Sequence, residues 1–269
     1  MLKRLQTILI TLALCVGTVW AGDFEDGGAA YEKKDFTTAL KKYKSAAAQG
    51  NALALFPIGF MYNNGHGVVQ DYAEAMRWHK LAAAQGNALA QFNLGVMYGN
   101  GQGDVQDYAE AVRWYKLSSA KGLAQAQFNL GFMYNNGQGV VQDYAESVRW
   151  YKLAAAQRDA AAQFNLGLMY NSGKGVLQDY AEAVRWYKLA AAQGNAMAQV
   201  NLGFMYNNGR GVVQDYVRAH MWWNLAAVTG DSVPVENRDI AAKRMTPQQI
   251  AEAQKLAREC QARNFKNCD

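Results

Sequence analysis

Residues 88–98 read Ala-Leu-Ala-Gln-Phe-Asn-Leu-Gly-Val-Met-Tyr, and residues 99–103 read Gly-Asn-Gly-Gln-Gly. Asp107-Tyr108-Ala109-Glu110-Ala111-Val112-Arg113-Trp114-Tyr115 follows three residues later. The first stretch lacks proline and places Ala90, Phe92, Leu94 and Met97 at helical spacings. Gly95 inside it costs about 1 kcal/mol relative to alanine, so a partner helix is expected to approach too closely for a Cβ. The glycine run breaks the chain, because glycine accepts positive φ. Asp107 is a good N-cap and Glu110, three residues on, is placed to close a capping box. The second helix is expected from Tyr108 to about Ala120, ending before Gly122. Glu110 and Arg113 are spaced for an ion pair on its surface.

The same pattern recurs along the chain. Asp71, Asp107, Asp143, Asp179 and Asp215 stand 36 residues apart, each followed by tyrosine. So do Gly59, Gly95, Gly131, Gly167 and Gly203, and so do Trp78, Trp114, Trp150, Trp186 and Trp222. Residues 87–122 and 123–158 agree at 26 of 36 positions. A fixed period of this length implies a solenoid in which each unit buries its apolar face against its neighbours. About fourteen helices and no strands are expected.

The motif Ala-x-Ala-Gln-Phe-Asn-Leu-Gly-x-Met-Tyr, followed by Gly-x-Gly-Val-x-x-Asp-Tyr-x-x-Ala-x-x-Trp-Tyr-x-x-Ala-Ala-x-Gly, resembles the Sel-one-like repeat family. That family is related to the tetratricopeptide repeats, and the resemblance implies an all-α, right-handed α-solenoid of antiparallel helix pairs. It covers five units, 51–86, 87–122, 123–158, 159–194 and 195–230. Residues 23–50 resemble a shorter tetratricopeptide-type pair without the glycine loop. Residues 231–269 depart from the pattern, and 231–245 are less regular. Thr246-Pro247-Gln248-Gln249 then opens a capping helix expected to reach Arg263. Pro57 replaces the asparagine of the other units, so the first helix there either kinks or starts late.

About half the residues are apolar and 18% are charged, which excludes a disordered tail. Residues 1–21 read as a secretory signal: Lys3 and Arg4, then an uncharged apolar run from Leu5 to Val19, then Val19-Trp20-Ala21 before a cleavage site at Gly22. An uncleaved anchor and a lipoprotein signal at Cys15 are the alternatives. Setting Lys3 and Arg4 aside lowers the formal charge from +5 to +3, too mild to imply nucleic acid or an anionic membrane. The mature chain would carry two cysteines, Cys260 and Cys268, which should pair in an exported protein and pin the tail. A periplasmic or secreted location follows, with no integral membrane segment once the signal is removed.

Little in the sequence points to catalysis, and no cofactor or metal is expected. His66, His79 and His220 each read as drift within a repeat and form no metal motif. Ser118-Ser119-Ala120-Lys121 has the Ser-x-x-Lys spacing of penicillin-recognising enzymes, and some relatives have been linked to β-lactams. No Ser-Asp-Asn or Lys-Thr-Gly accompanies it, so a hydrolase is the alternative and a non-enzymatic scaffold the main reading. Binding of peptidoglycan or another glycan by the aromatic residues is a third reading. For a protein or peptide partner, the first helices offer Asn93, Asn129, Asn165 and Asn201. Phe132 and Phe204 share their face three residues on, and Phe60 holds the same position after Pro57. Asparagine is a poor helix former, and its amide suits a peptide backbone. The resemblance implies adaptor roles in envelope assembly, secretion or host interaction.

Overall fold

The computed structural model describes residues 22–230 and 232–268. The signal expected over residues 1–21 lies outside the described residues. The chain forms two compact units, Met1–Leu123 and Ala124–Asp269. Among the described residues there are fourteen helices and no strand. The first unit holds α1 (22–32), α2 (Phe36–Ala48), α3 (Leu55–Asn64), α4 (Tyr72–Ala84), α5 (Ala88–Asn100) and α6 (Tyr108–Ser119). The second holds α7 (Ala124–Asn136), α8 (Tyr144–Ala156), α9 (Ala160–Ser172), α10 (Tyr180–Ala191), α11 (Ala196–Asn208), α12 (Tyr216–Ala226), α13 (Ser232–Ala242) and α14 (Pro247–Ala262). The fold class is an all-α solenoid built on repeats of about 36 residues.

The glycine inside each first helix meets a ring from the second helix of the same repeat. A Cβ on Gly59 would lie 2.7 Å from His79 Nδ1, one on Gly95 2.5 Å from Tyr115 Cε1 and one on Gly131 2.6 Å from Tyr151 Cδ1. Gly167 faces Tyr187 and Gly203 faces Trp223 in the same way. The shorter pair shares the device, because Gly27 faces Tyr43. These rings are buried, and the absence of a Cβ lets them lie on the helix backbone.

A second glycine joins successive repeats. Gly103 has φ of 81°, and a Cβ there would stand 2.5 Å from the Tyr72 carbonyl oxygen at the start of α4. Gly175 and Gly211 press on the backbone of Tyr144 and Tyr180 in the same manner. In two repeats a polar contact ties the end of the second helix back to the first helix of the same repeat. Gln157 Nε2 donates to Gln127 Oε1 at 2.9 Å, and Gln193 Nε2 donates to Gln163 Oε1 at 2.8 Å.

Local capping differs from the sequence reading in one respect. Asp107 Oδ1 accepts from the backbone N–H groups of Ala109 and Glu110, as an N-cap should. Glu110 does not close the box, because the Asp107 N–H already donates to the Tyr98 carbonyl of the first helix at 2.9 Å. The glutamate pairs with Arg113 instead. The repeated bond from Asp N–H to Tyr carbonyl, also seen at Asp71, Asp143, Asp179 and Asp215, ties the two helices of each unit.

Pro57 produces a late start. Residues Ala52–Ala54 form a 3-10 turn and α3 begins only at Leu55, whereas α5 begins at Ala88, the counterpart of residue 52. Proline therefore falls in the first turn, where its missing N–H would have no helical partner anyway. At the other end, residues expected to be irregular form α13, with Pro234 again in a first turn. Thr246 and Gln249 close a capping box on α14. The terminal helices cover α12: Leu225 is 4% exposed, against 40% for its counterpart Leu189. Cys260 and Cys268 are joined by a disulfide with Cα atoms 5.1 Å apart. Asn264, Phe265 and Asn267 take left-handed φ to turn the tail back, and Phe265 and Cys268 pack against the core around Trp222.

Gly131→Ala should destabilise the protein by about 1–3 kcal/mol through overpacking against Tyr151, despite the better helix propensity of alanine. Gly99→Ala, whose Cβ would meet only Ala111 Cβ at 3.9 Å, should be neutral or stabilising by up to about 1 kcal/mol. Urea unfolding of the two variants decides it; equal effects would remove the glycine–ring argument.

Candidate partner-binding surface

The first helices from α3 onward carry no Asp, Glu, Lys or Arg. The charges lie on the second helices, where Glu74–Arg77, Glu110–Arg113, Glu146–Arg149 and Glu182–Arg185 are paired one turn apart. What the first helices expose is apolar and amide. In the first unit Leu53, Phe60 and Leu89 project from the 3-10 turn, α3 and α5; in the second, Phe132, Met197 and Phe204 project from α7 and α11. Phe132 is 45% exposed, and Phe60 and Phe204 are each 37% exposed.

The asparagines are half-buried and more occupied than the sequence suggested. Asn165 Nδ2 donates to the Ala161 carbonyl at 2.8 Å and Asn201 Nδ2 to the Met197 carbonyl at 2.9 Å, each four residues back on its own helix. Asn93 Nδ2 is 3.4 Å from His79 Nε2. Self-capping of this kind explains how a poor helix former is accommodated mid-helix. Each such amide keeps its oxygen and one N–H.

The tryptophans do not offer open faces. Trp78, Trp114, Trp150 and Trp186 are half-buried, and each ring is covered by the preceding arginine, with guanidinium carbons 4.4–5.1 Å from the ring centroids. A sugar ring would have to displace that cation. Ser118 is buried, and its hydroxyl donates to the Ala88 carbonyl at 2.8 Å. The Ser-x-x-Lys spacing therefore places its serine inside the repeat.

The histidines have separate roles. His66, read from sequence as drift, packs in the first unit: its ring stacks on Phe36 at 4.5 Å, and Nδ1 is 2.8 Å from the Tyr31 hydroxyl. The equivalent loop residues Lys174 and Arg210 lie over Tyr144 and Tyr180. His220 is buried, and burial followed by the nearby Arg238 pushes its pKa down. His79 is fully buried against Phe56, and burial pushes its pKa down to about 4. No cluster of three or more His, Cys, Asp or Glu suited to a metal occurs among the described residues.

Sequence reasoning missed one surface. Val69, Val105, Val141, Leu177 and Val213 at the loop tips are the most exposed large apolar side chains of their repeats, Leu177 reaching 90%. The signal was present: Val68, Val176 and Val212 already supply the apolar residue that packs on the core, which leaves the next one without a partner surface.

Six segments, residues 22–51, 52–87, 88–123, 124–159, 160–195 and 196–227, match the family model described as Sel1 repeat. The chain belongs to the Sel1 repeat family. A solved Sel1 repeat protein from Oxalobacter formigenes is 33% identical, over 80% of this chain and 86% of its own, with a TM-score of 0.74. The solved c5321 protein, a protective antigen present in uropathogenic Escherichia coli strains, is 28% identical, over 93% of this chain and 70% of its own, with a TM-score of 0.45. No curated protein matches the chain. Sel1 repeat proteins are in general protein-interaction scaffolds. No helix among the described residues is long and apolar enough to cross a membrane.

Acid stability tests the placement of His79. The unfolded chain protonates this histidine near pH 6.5, the folded chain only near 4. The unfolded state thus binds more protons between those values, and stability falls as the pH drops through them, by roughly 3 kcal/mol in full. His79→Tyr, the residue of the three middle repeats, should remove this component when urea melts at pH 7 and pH 4.5 are compared. Equal losses in both proteins would place the acid sensitivity elsewhere.

Proposed function

We propose that this Sel1 repeat protein is a non-enzymatic scaffold that docks a partner polypeptide on the exposed face of its first helices. The observation that carries the reading is the complete absence of charge from α3, α5, α7, α9 and α11, together with their half-exposed Leu, Met and Phe side chains. Such a face suits an uncharged, apolar segment. Each unit would present its own contacts, Phe60 and the Asn93 amide in the first and Phe132, Phe204 and the amides of Asn129, Asn165 and Asn201 in the second, with the phenylalanines as anchors and the amides exchanging single hydrogen bonds with the partner backbone. Because each of Asn165 and Asn201 already spends one N–H on its own helix, the phenylalanines carry more of the energy.

The site of action in this reading is the periplasm or the cell exterior. The signal-like residues 1–21 and the Cys260–Cys268 bond support it, since disulfides persist in oxidising compartments. Intact mass of the protein isolated from its native cell should show loss of residues 1–21 and a closed disulfide; a full-length chain with free thiols would oppose export.

A photo-cross-linking residue placed at Phe132 should capture the partner, and one placed at Lys152 on α8 should not. With the partner so identified, Phe132→Ser should weaken binding about 30-fold or more, and Asn129→Ala or Asn165→Ala several-fold, with melting temperatures near that of the parent. The contact with α3–α11 lacks charge, so the losses caused by these substitutions should be much the same at about 50 and 500 mM salt. Cross-links from Lys152 alone, or losses that shrink steeply with salt, would move the site to the charged second helices.

A further inference from the structure

The pairing of α1 with α2 fixes its register against the later repeats. Phe24 lies 5.6 Å from Tyr43 as Phe92 lies 5.9 Å from Tyr115, and Gly27 faces Tyr43 as Gly95 faces Tyr115. Glu25, Gly28 and Glu32 therefore occupy the positions of Asn93, Val96 and Asn100. In this register α1 differs from the later first helices in two ways.

The large apolar side chain of the repeat is missing at Gly28. A cleft of about 290 Å³ lies beside it, lined by Tyr31, Tyr43, Phe56, Pro57 and Phe60; a Cβ on Gly28 would stand 3.7 Å from the hydroxyl of Tyr43, one of these walls. The Tyr31 wall is fixed from behind, since its hydroxyl meets His66 Nδ1 and its ring lies 5.0 Å from Phe36. The second difference is charge. The neutral amides are replaced by two exposed carboxylates, Glu25 and Glu32, one turn to either side of Gly28. Burial pushes the Tyr43 pKa up, and Tyr31 and the Glu32 charge add to the shift, so the negative field reaches the cleft. Asp23 and Asp26, the other acids of this helix, are bound to Lys42 at 2.8 and 2.9 Å.

Four aromatic rings line the cleft, an aromatic ring attracts a cation through its negative face, and the Glu32 charge felt at Tyr43 adds to that attraction. A purely apolar group would use the walls and gain nothing from the carboxylates. We propose that this cleft binds an alkylammonium group, supplied by a lysine side chain of the partner polypeptide. That the group belongs to a polypeptide rests on the docking reading above; the preference of the cleft for a cation does not.

The whole protein is titrated with Nα-acetyl-lysine methylamide and with its norleucine counterpart, which lacks only the ammonium, and ring-proton chemical shifts are followed by NMR. The lysine compound should bind about tenfold more tightly at low salt, and Glu32→Gln should narrow the difference. Gly28→Val restores the residue type of Val96, and its Cβ has room, the nearest heavy atom being the Tyr43 hydroxyl at 3.7 Å. It should abolish binding of both compounds at an unchanged or higher melting temperature. Equal or tighter binding of norleucine, lysine binding that survives Gly28→Val, or no binding of either compound would each overturn the proposal. Cross-linking from Phe132 reads the second unit and is untouched by Gly28→Val, so failure of this inference and failure of the docking reading are distinguishable.

Discussion

A ring lying on a helix backbone sets the spacing inside every repeat. Five glycines in first helices, and Gly27 in the shorter pair, each receive an aromatic side chain at a distance no Cβ would allow. Glycine lowers helix propensity, and a buried ring more than offsets that through its area and contacts. The identity of the ring varies while its seat does not. Tyr115, Tyr151 and Tyr187 fill it in the middle repeats, His79 in the second pair and Trp223 in the last. Where the ring is an indole, its Nε1 donates to the Val200 carbonyl of the first helix at 3.1 Å. Where it is imidazole, burial keeps it neutral. The seat therefore demands a flat, uncharged group and accepts several.

From that spacing follows the division of surfaces. With one stripe of the first helix committed to the ring and another to the neighbouring repeat, only positions such as 60, 89, 132 and 204 face outward. The second helices take the charges and the tryptophans. Their Glu–Arg pairs are exposed and contribute little to stability, but the arginine also covers the indole beside it. That cover keeps four large aromatic side chains from forming an apolar patch. Solubility is thus handled by one helix of each pair, which frees the other to present an uncharged face.

Much of this was legible in the residues. The period fixed the helix count, Asp at each second-helix start gave the N-caps, and the mid-helix glycine implied a close neighbour. What the sequence left open were contacts that depend on which neighbour arrives first. Glu110 was placed to cap Asp107, yet the Tyr98 carbonyl takes that N–H. Asn165 was placed to meet a ligand, yet one N–H turns to its own helix. The aromatic residues offered a glycan-binding reading, yet the tryptophans of the first four of these repeats are half-buried under arginine. The short N-terminal pair hid the cleft, because without the glycine loop the step from Gly27 to Gly59 is 32 residues rather than 36 and the alignment of Gly28 with Val96 escapes a fixed-period search.

Repetition also changes what divergence means. The loop position occupied by His66, Gln102, Gln138, Lys174 and Arg210 varies more than its surroundings, which by itself suggests a surface tuned for recognition. The structure supplies another reason. His66, Lys174 and Arg210 each lie over the aromatic residue that opens the preceding second helix, Phe36, Tyr144 and Tyr180 respectively. Imidazole, ammonium and guanidinium can all cover a ring face, so the position tolerates exchange while doing one job between repeats. Variation at Gly28, Glu25 and Glu32 is of a different kind: it removes a side chain and adds charge on a face that is otherwise closed and neutral, and no packing contact in the repeat requires either change. Divergence that packing explains is weak evidence for a site. Divergence that opens space and concentrates charge, where every later copy fills and neutralises the same place, is the stronger guide to where a repeat protein meets something other than itself.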